Sequence, residues 1–317
     1  MLYLVKGRAG SGKTDFINQK IKSILDNNSS NVLLIVPEQF SFESERKMLK
    51  LLGEEKYNKI DIFSFPRLAF STLKESFDFS GVPSSGVRLA LMHEAILALQ
   101  GRLNIFGKSK ATVNSLSPLV EFSRELKYCS VKSEDLLEKI NMLSNEFLKE
   151  KLTEINLINE AYDALVKRSY FDDTEALDVM NTYATDNCYF KNKTVFIDGF
   201  RAFTKQESNL FRTMLLQADD VYVTLCADSA YQKNSSFTYI KNFEDKLSVI
   251  ANDCKINVIR EFLEQNHESF SQDILSLERG LFNSKKDEPT TTDNTVTIVS
   301  CFNSDDECDF ISKEIKL

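Results

Sequence analysis

The chain has 317 residues, 42% hydrophobic and 27% charged, the make-up of a soluble globular protein with room for two domains or one large interrupted one. Its formal net charge of −8 and pI near 5.1 argue against a surface coated with basic residues, while leaving room for a local basic groove. No apolar run approaches the length of a membrane span, and the first residues lead straight into a strand pattern with no signal peptide.

The first twenty residues organise the rest. Leu2-Tyr3-Leu4-Val5 is a short apolar run of β-prone residues. It feeds into Gly7-Arg8-Ala9-Gly10-Ser11-Gly12-Lys13-Thr14, which matches G-x-x-x-x-G-K-[ST] at every fixed position. An amphipathic helix pattern follows, with Phe16, Ile17, Ile21, Ile24 and Leu25 on one side. Strand, glycine loop and helix are the context a phosphate-binding loop needs. Glycines let successive backbone N–H groups face one anion, and the helix N-terminus adds partial positive charge. In that reading Gly7, Gly10, Ser11, Gly12, Lys13 and Thr14 hold a nucleotide such as ATP. Lys13 reaches the β- and γ-phosphates, and the Thr14 hydroxyl holds Mg²⁺.

The pattern then alternates. After the turn cluster at 26–31, Val32-Leu33-Leu34-Ile35-Val36 reads as a strand buried on both faces of a parallel sheet, stopped by Pro37. Glu38-Gln39-Phe40-Ser41-Phe42 reads as a loop, Glu43–Leu52 as a helix stopped by Gly53, and Ile60–Phe65 as a third strand stopped by Pro66. This is the βαβ rhythm of a parallel sheet, and it makes 1–70 the first part of a P-loop lobe. Ligands sit beyond the carboxyl ends of such strands. The loops 7–14, 37–42 and 65–67 are therefore expected at one edge.

From 71 to 190 the rhythm becomes helix after helix. Leu89–Leu99 is apolar at helical spacing. Pro118 fits the first turn of a helix running through Leu126. Further helices are expected from Ser133, over Asn145–Val166 and from Thr174, and the stretch reads as a helical insertion. Its basic residues, Lys108, Lys110, Arg124, Lys127, Lys132, Lys167 and Arg168, are interspersed with acids and read as solvated faces rather than a nucleic-acid track.

The sheet resumes over 191–284. Lys193-Thr194-Val195-Phe196-Ile197-Asp198 is a β-branched run ending in an aspartate. Thr204 with Glu207 makes a capping box for a helix to Gln217. Asp220–Cys226 reads as a buried strand, Phe243–Ile250 as helix, Ile256–Ile259 as strand and Ser271–Leu281 as helix. Residues 285–317 read as a polar linker, a strand over Thr295–Cys301 and a helix from Asp305. That helix still runs at Leu317, so the chain is expected to be a piece of a longer one, ending just inside a following lobe.

Asp198 is the candidate second magnesium ligand, a carboxylate at the end of an apolar strand. Motor ATPases usually carry a glutamate next, where it polarises the attacking water; here the position is Gly199. Loss of a general base typically costs about two to four orders of magnitude in rate. Glu38 and Asp228 are possible stand-ins. Gln39, Phe40 and Phe42 lie beyond the second strand, where the aromatics either stack on DNA bases or belong to the core. Arg67 either contacts phosphate or is a surface residue. The six cysteines, Cys129, Cys188, Cys226, Cys254, Cys301 and Cys308, form no C-x-x-C pair and read as free thiols of a reducing cytoplasm. His93 and His267 lie far apart and read as incidental.

Four blocks in this order resemble a known family: residues 4–14; Val36-Pro37-Glu38-Gln39-Phe40-Ser41-Phe42-Glu43; Ser64-Phe65-Pro66-Arg67-Leu68-Ala69; and Ile197-Asp198-Gly199-Phe200 with Phe203-Thr204 and Glu207. Together they resemble the N-terminal part of AddB-type subunits of bacterial AddAB helicase–nucleases, which are related to RexB. The resemblance covers essentially the whole chain, with the helical insertion matching mainly by position. It implies an α/β P-loop NTPase fold, a RecA-like parallel sheet like the first lobe of superfamily 1 helicases, with a helical subdomain before the aspartate strand. It implies that 295–317 opens a second lobe. It further implies a heterodimer with an AddA-type helicase–nuclease subunit, processing of DNA double-strand breaks for recombination, and a part in recognising Chi. The nuclease domain and iron–sulfur cluster of such subunits lie near the C-terminus of the whole protein, so this stretch is expected to bind no cluster and cut no DNA. Gly199 fits a family member that lost its motor role while keeping ATP and Mg²⁺ binding. The alternatives are an active DNA-stimulated ATPase, a P-loop kinase of a small metabolite, and a scaffold with a relic loop.

Overall fold

The computed structural model describes residues 1–27, 31–74, 81–108, 112–228, 237–264, 270–282 and 295–316. Among these, six strands form one sheet: β1 (Leu2–Gly7), β2 (Asn31–Ile35), β3 (Ile60–Phe63), β4 (Lys193–Ile197), β5 (Asp220–Cys226) and β6 (Val258–Phe262). The order across the sheet is β3-β2-β4-β5-β1-β6, and every neighbouring pair is parallel. Register brings Gly7 opposite Cys226 and Ile35 opposite Ile197, so the carboxyl ends of β1, β2, β4 and β5 share one edge. A single strand, β5, separates the glycine-loop strand from the strand that ends before Asp198.

Alternation along the strands explains the helices on both faces. Val32, Leu34 and Phe196 point into one core with Ile17, Ile21 and Leu25 of α1 (Lys13–Asp26) and Met48 and Leu52 of α2 (Ser41–Tyr57). Leu33, Ile35, Val195 and Ile197 point into the other. That second core is closed by α3 (Phe65–Leu73) and by three helices from the later chain, over Ala176–Asn187, Lys205–Gln217 and Thr238–Asp253. Strands buried on both faces are apolar through their buried length, which is why 32–36 and 195–197 carry continuous apolar runs.

Between β3 and β4 lie α4 (Ser85–Ala98), α5 (Val113–Tyr128), α6 (Ser133–Asn141), α7 (Glu146–Ser169) and α8 (Ala176–Asn187). Met92, Ala95, Leu116, Leu119, Val120, Ile158, Tyr162 and Val166 of α4, α5 and α7 make a third, separate core. The remaining helices are α9 (Lys205–Gln217), α10 (Thr238–Asp253), α11 (Gln272–Phe282) and α12 (Ser304–Lys316). The architecture is α/β, a parallel sheet consistent with a RecA-like lobe interrupted by helices.

Several local expectations are corrected. The loop expected at 38–42 is a 3₁₀ turn over Glu38–Phe40 running straight into α2. Gly53 does interrupt α2 (φ 71°, ψ 168°), but a further helical turn continues to Tyr57. The third strand ends at Phe63, because Ser64 caps α3 and Pro66 sits in its first turn, where a missing N–H costs nothing. Pro118 lies inside α5 rather than at its start; the helix begins at a capping box of Thr112 with Ser115, a signal that outweighs proline's usual position. The strand expected at Ile256–Ile259 is β6, shifted to Val258–Phe262 by its pairing with β1. Residues 295–301 form no strand, because no neighbour among the described residues supplies ladder hydrogen bonds. The expected polar linker at 285–294 and His267 lie outside the described residues.

The insertion's basic residues do not all form solvated faces. Lys127 is largely enclosed, paired with Asp163 Oδ1 at 2.8 Å, with Asp172, and with Glu175 Oε1 at 3.4 Å. Arg88 of α4, which is buried, pairs with Asp172 and Asp173 and donates to the Tyr162 hydroxyl at 3.2 Å. These charges lie between α4, α5 and α7 on one side and the start of α8 on the other. Each is satisfied by opposite charge, the condition under which burial is tolerated. Lys110 lies outside the described residues.

Candidate functional site

The loop between β1 and α1 is built as its sequence requires. Gly12 is the N-cap of α1 with φ 76°, a left-handed conformation that a side chain would strain. Gly12 carries no capping side chain, which leaves the first N–H groups of α1 without the usual N-cap hydrogen bond and suits them to donate to an anion. Phe270 covers the loop's tip, since a Cβ on Gly10 would meet its ring at 2.1 Å. Lys13 folds back over the loop and donates to the Gly7 and Arg8 carbonyls, both at 2.7 Å, with Ser11 Oγ at 3.4 Å. Burial pulls its ammonium below the ordinary lysine value, against the opposing influence of Cys226 and Asp198.

Asp198 follows the last residue of β4, and its backbone N–H donates to Ile35 O at 3.0 Å. The Thr14 hydroxyl donates to Asp198 Oδ2 at 2.9 Å. The Thr224 hydroxyl, from β5, donates to Asp198 Oδ1 and accepts from the Gly199 N–H at 3.3 Å. A hydroxyl and a carboxylate side by side are hard oxygen donors of the kind Mg²⁺ takes. Among the described residues no cluster of three or more His, Cys, Asp or Glu could hold a metal, so a cation at Thr14 and Asp198 would complete its shell with ligand or water oxygens.

These groups open on a cleft of about 360 Å³. Its walls come from Lys13 and Thr14, from Pro37 and Phe40, from Glu43, Ser44 and Lys47 of α2, from Asp198–Arg201 and from Thr224 and Cys226. The structure therefore brings the glycine loop, the 37–40 turn and Asp198 to one edge. The turn after β3 lies at the same edge, because Phe63 pairs with Ile35 in parallel register, but Arg67 does not line the cleft: on α3 it pairs with Glu45 Oε1 at 3.0 Å and lies over the Phe63 ring. Phe40 is 45% exposed and lines the cleft; Phe42 is 76% exposed on α2, and Gln39 is exposed on the turn. Neither phenylalanine is a core residue. Of the carboxylates considered as stand-ins for the missing glutamate, Asp228 pairs with Arg8 at 3.5 Å and Glu38 faces solvent outside the cleft wall.

The sequence reading missed Thr224, Glu43, Lys47, Arg201 and Cys226. Thr224 did leave a signal, as a polar residue within the apolar run of β5, where it is buried. Glu43 and Lys47 pair at 2.7 Å one helical turn apart, a spacing that looks like an ordinary surface pair until α2 is seen to form a wall.

A family model described as ADDB, N-terminal, matches residues 4–278. A protein of Ruminiclostridium cellulolyticum, named as the B subunit of an ATP-dependent helicase/deoxyribonuclease, is 32% identical over 234 residues, covering 72% of this chain and 20% of that protein. Proteins of the same name match at 30% over 270 residues in Clostridioides difficile and at 28% over 262 residues in Clostridium acetobutylicum. Each of these two covers 81% of this chain and 23% of the relative. The chain thus spans about a fifth to a quarter of the length of these relatives.

Proposed function

The chain belongs to the ADDB N-terminal family, and from that membership we propose that it is the nucleotide-binding, helicase-like lobe of the B subunit of an AddAB-type helicase–nuclease. The observation that carries the nucleotide part is the Thr14–Asp198 contact at 2.9 Å beside Lys13. In this reading the loop amides and Lys13 hold the phosphates of ATP, and Thr14 and Asp198 hold Mg²⁺. The metal would supply neutralisation of charge on the phosphate oxygens. Lys13 exchanges its loop carbonyls for phosphate oxygens, and Thr224 keeps the Asp198 carboxylate aimed into the cleft.

The wider role follows the relatives' names and the resemblance. The protein pairs with an AddA-type helicase–nuclease in the cytoplasm, acts on DNA at double-strand breaks and takes part in Chi recognition. No described helix is long and apolar enough to cross a membrane. The exposed side chains of Ile298, Phe302 and Ile315 support the reading of 295–317 as the start of a second lobe. Gly199 supports nucleotide binding without fast hydrolysis. Glu43, a carboxylate on the cleft wall, is the observation favouring the second reading, an active ATPase.

Titration calorimetry of MgATP tests the site, with Lys13→Ala as the control. Binding to the parent is expected, and its loss in the variant, because Lys13 faces the loop rather than the core. A Lys13→Ala chain that binds MgATP like the parent would overturn the assignment. Turnover stimulated by single-stranded DNA would replace the lost-motor reading with the active one.

A further inference from the structure

Every cleft-lining charge but one is already engaged among the described residues. Lys13 is held by Gly7 O and Arg8 O at 2.7 Å, Asp198 by Thr14 and Thr224, and Glu43 by Lys47. Arg201 lines the same cleft, is exposed, and has no hydrogen bond, ion pair or ring contact among the described residues.

Its backbone is nonetheless firmly placed. Phe200 and Phe203, on either side, pack against Phe65 at 5.3 and 5.5 Å between ring centroids, and Phe203 also meets Phe243 at 4.8 Å. These rings belong to the sheet's second core. The segment is anchored by its aromatics and presents its cation to the cleft three residues beyond Asp198. A long charged side chain on a fixed stem, with no partner of its own, is what an anion-binding position requires.

We propose that Arg201 is a specificity-determining residue that contacts the terminal phosphate of the bound nucleotide and makes the site prefer a nucleoside triphosphate to a diphosphate. The inference rests on the nucleotide-site reading above. In that reading Thr14 and Asp198 would hold the metal that offsets phosphate charge, so their end of the cleft is the one that would take the β- and γ-phosphates. Arg201 shares a loop with Asp198 and so belongs to that end, not to the nucleoside end. Its guanidinium forms a charge-assisted, two-pronged contact with phosphate oxygens. An ADP-bound site lacks the group that Arg201 reaches, so its contribution falls on the triphosphate alone. A lobe that binds ATP without hydrolysing it fast would then report which nucleotide is present.

The test is calorimetric titration of MgATP and MgADP into the parent, Arg201→Gln and Arg201→Lys chains. Arg201→Gln is expected to weaken MgATP binding about tenfold or more, the loss of one charge-assisted contact, while changing MgADP less than about twofold. Arg201→Lys is expected to recover part of the loss, since it keeps the charge but not the fork. Equal weakening of both nucleotides, or of neither, would overturn the role of Arg201 and leave the nucleotide site standing. A parent chain that binds neither nucleotide would overturn the site reading and this inference with it.

Discussion

Gly199 stands where motor ATPases carry a water-polarising glutamate, and the obvious repair is Gly199→Glu. The structure predicts that the change costs stability. Gly199 has φ 82°, in the left-handed region, and a Cβ there would sit 3.4 Å from Pro37 Cδ and 4.0 Å from Phe40 Cδ2. The contacts are ordinary, so the cost is backbone strain, about 1–2 kcal/mol for a residue with a side chain. Unfolding entropy of about 2.1 cal/mol/K per residue amounts to about 0.7 kcal/mol/K over 317 residues. The strain therefore lowers Tm by about 1.5–3 °C. Gly199→Ala should lose as much as Gly199→Glu, because the strain is set at Cβ and not by the carboxylate. Scanning fluorimetry of both variants, with a coupled ATPase assay on Gly199→Glu, reads the two effects. An alanine variant as stable as the parent would refute the strain argument. A rise in turnover of about a hundredfold in the glutamate variant would show that the missing carboxylate alone accounts for slow hydrolysis.

The buried charges of the insertion make a pH-dependent prediction. Burial alone would raise the Asp172 carboxyl, but Lys127, Thr174 and Arg88 outweigh it and hold it below the usual carboxylate value. Its stabilising share is present above about pH 4 and is lost as pH falls through the lowered value. Lys127→Met leaves Asp163 without its cation and Asp172 with Arg88 alone, so both carboxyls rise. The variant should be about 3 kcal/mol less stable than the parent at pH 7, with a gap that narrows toward about pH 4 as the orphaned carboxylates protonate. Urea unfolding at both pH values checks this, and a pH-independent gap would contradict it. Buried Glu154 accepts from the backbone N–H groups of Asn104 at 2.5 Å, Ile105 at 3.0 Å and Phe106 at 3.0 Å. Glu154→Gln puts an amide donor among those donors and should cost about 2 kcal/mol, with faster amide exchange at 104–106 and an unchanged MgATP affinity. Parent-like exchange there would show that the loop holds itself.

Local chemistry was readable without the fold. The strand–glycine loop–helix order of 2–25, the continuous apolar run of 32–36, the β-branched run of 193–197, the capping box Thr204–Glu207 and the interruption by helices all depend on near neighbours and on periodicity. Each is present in the structure as read. The strand-end position of Asp198 was readable for the same reason, and so was the shared edge, because a parallel sheet sends every strand's carboxyl end the same way. What depended on distant residues was not readable. Only strand order places β5 between β1 and β4, which turns Thr224 into a holder of Asp198 and brings Cys226 beside Lys13. Only packing shows that Lys127 is enclosed among carboxylates, that α2 forms a cleft wall, and that Phe200 and Phe203 anchor Arg201. Residues 295–301 make the same point from the other side, since an apolar, β-branched run becomes a strand only when a neighbour offers its backbone. Sequence determined most of the elements and the chemistry they carry. The tertiary fold decided which side chains meet, because contacts between residues far apart in the chain are set by sheet order and packing that no local pattern encodes.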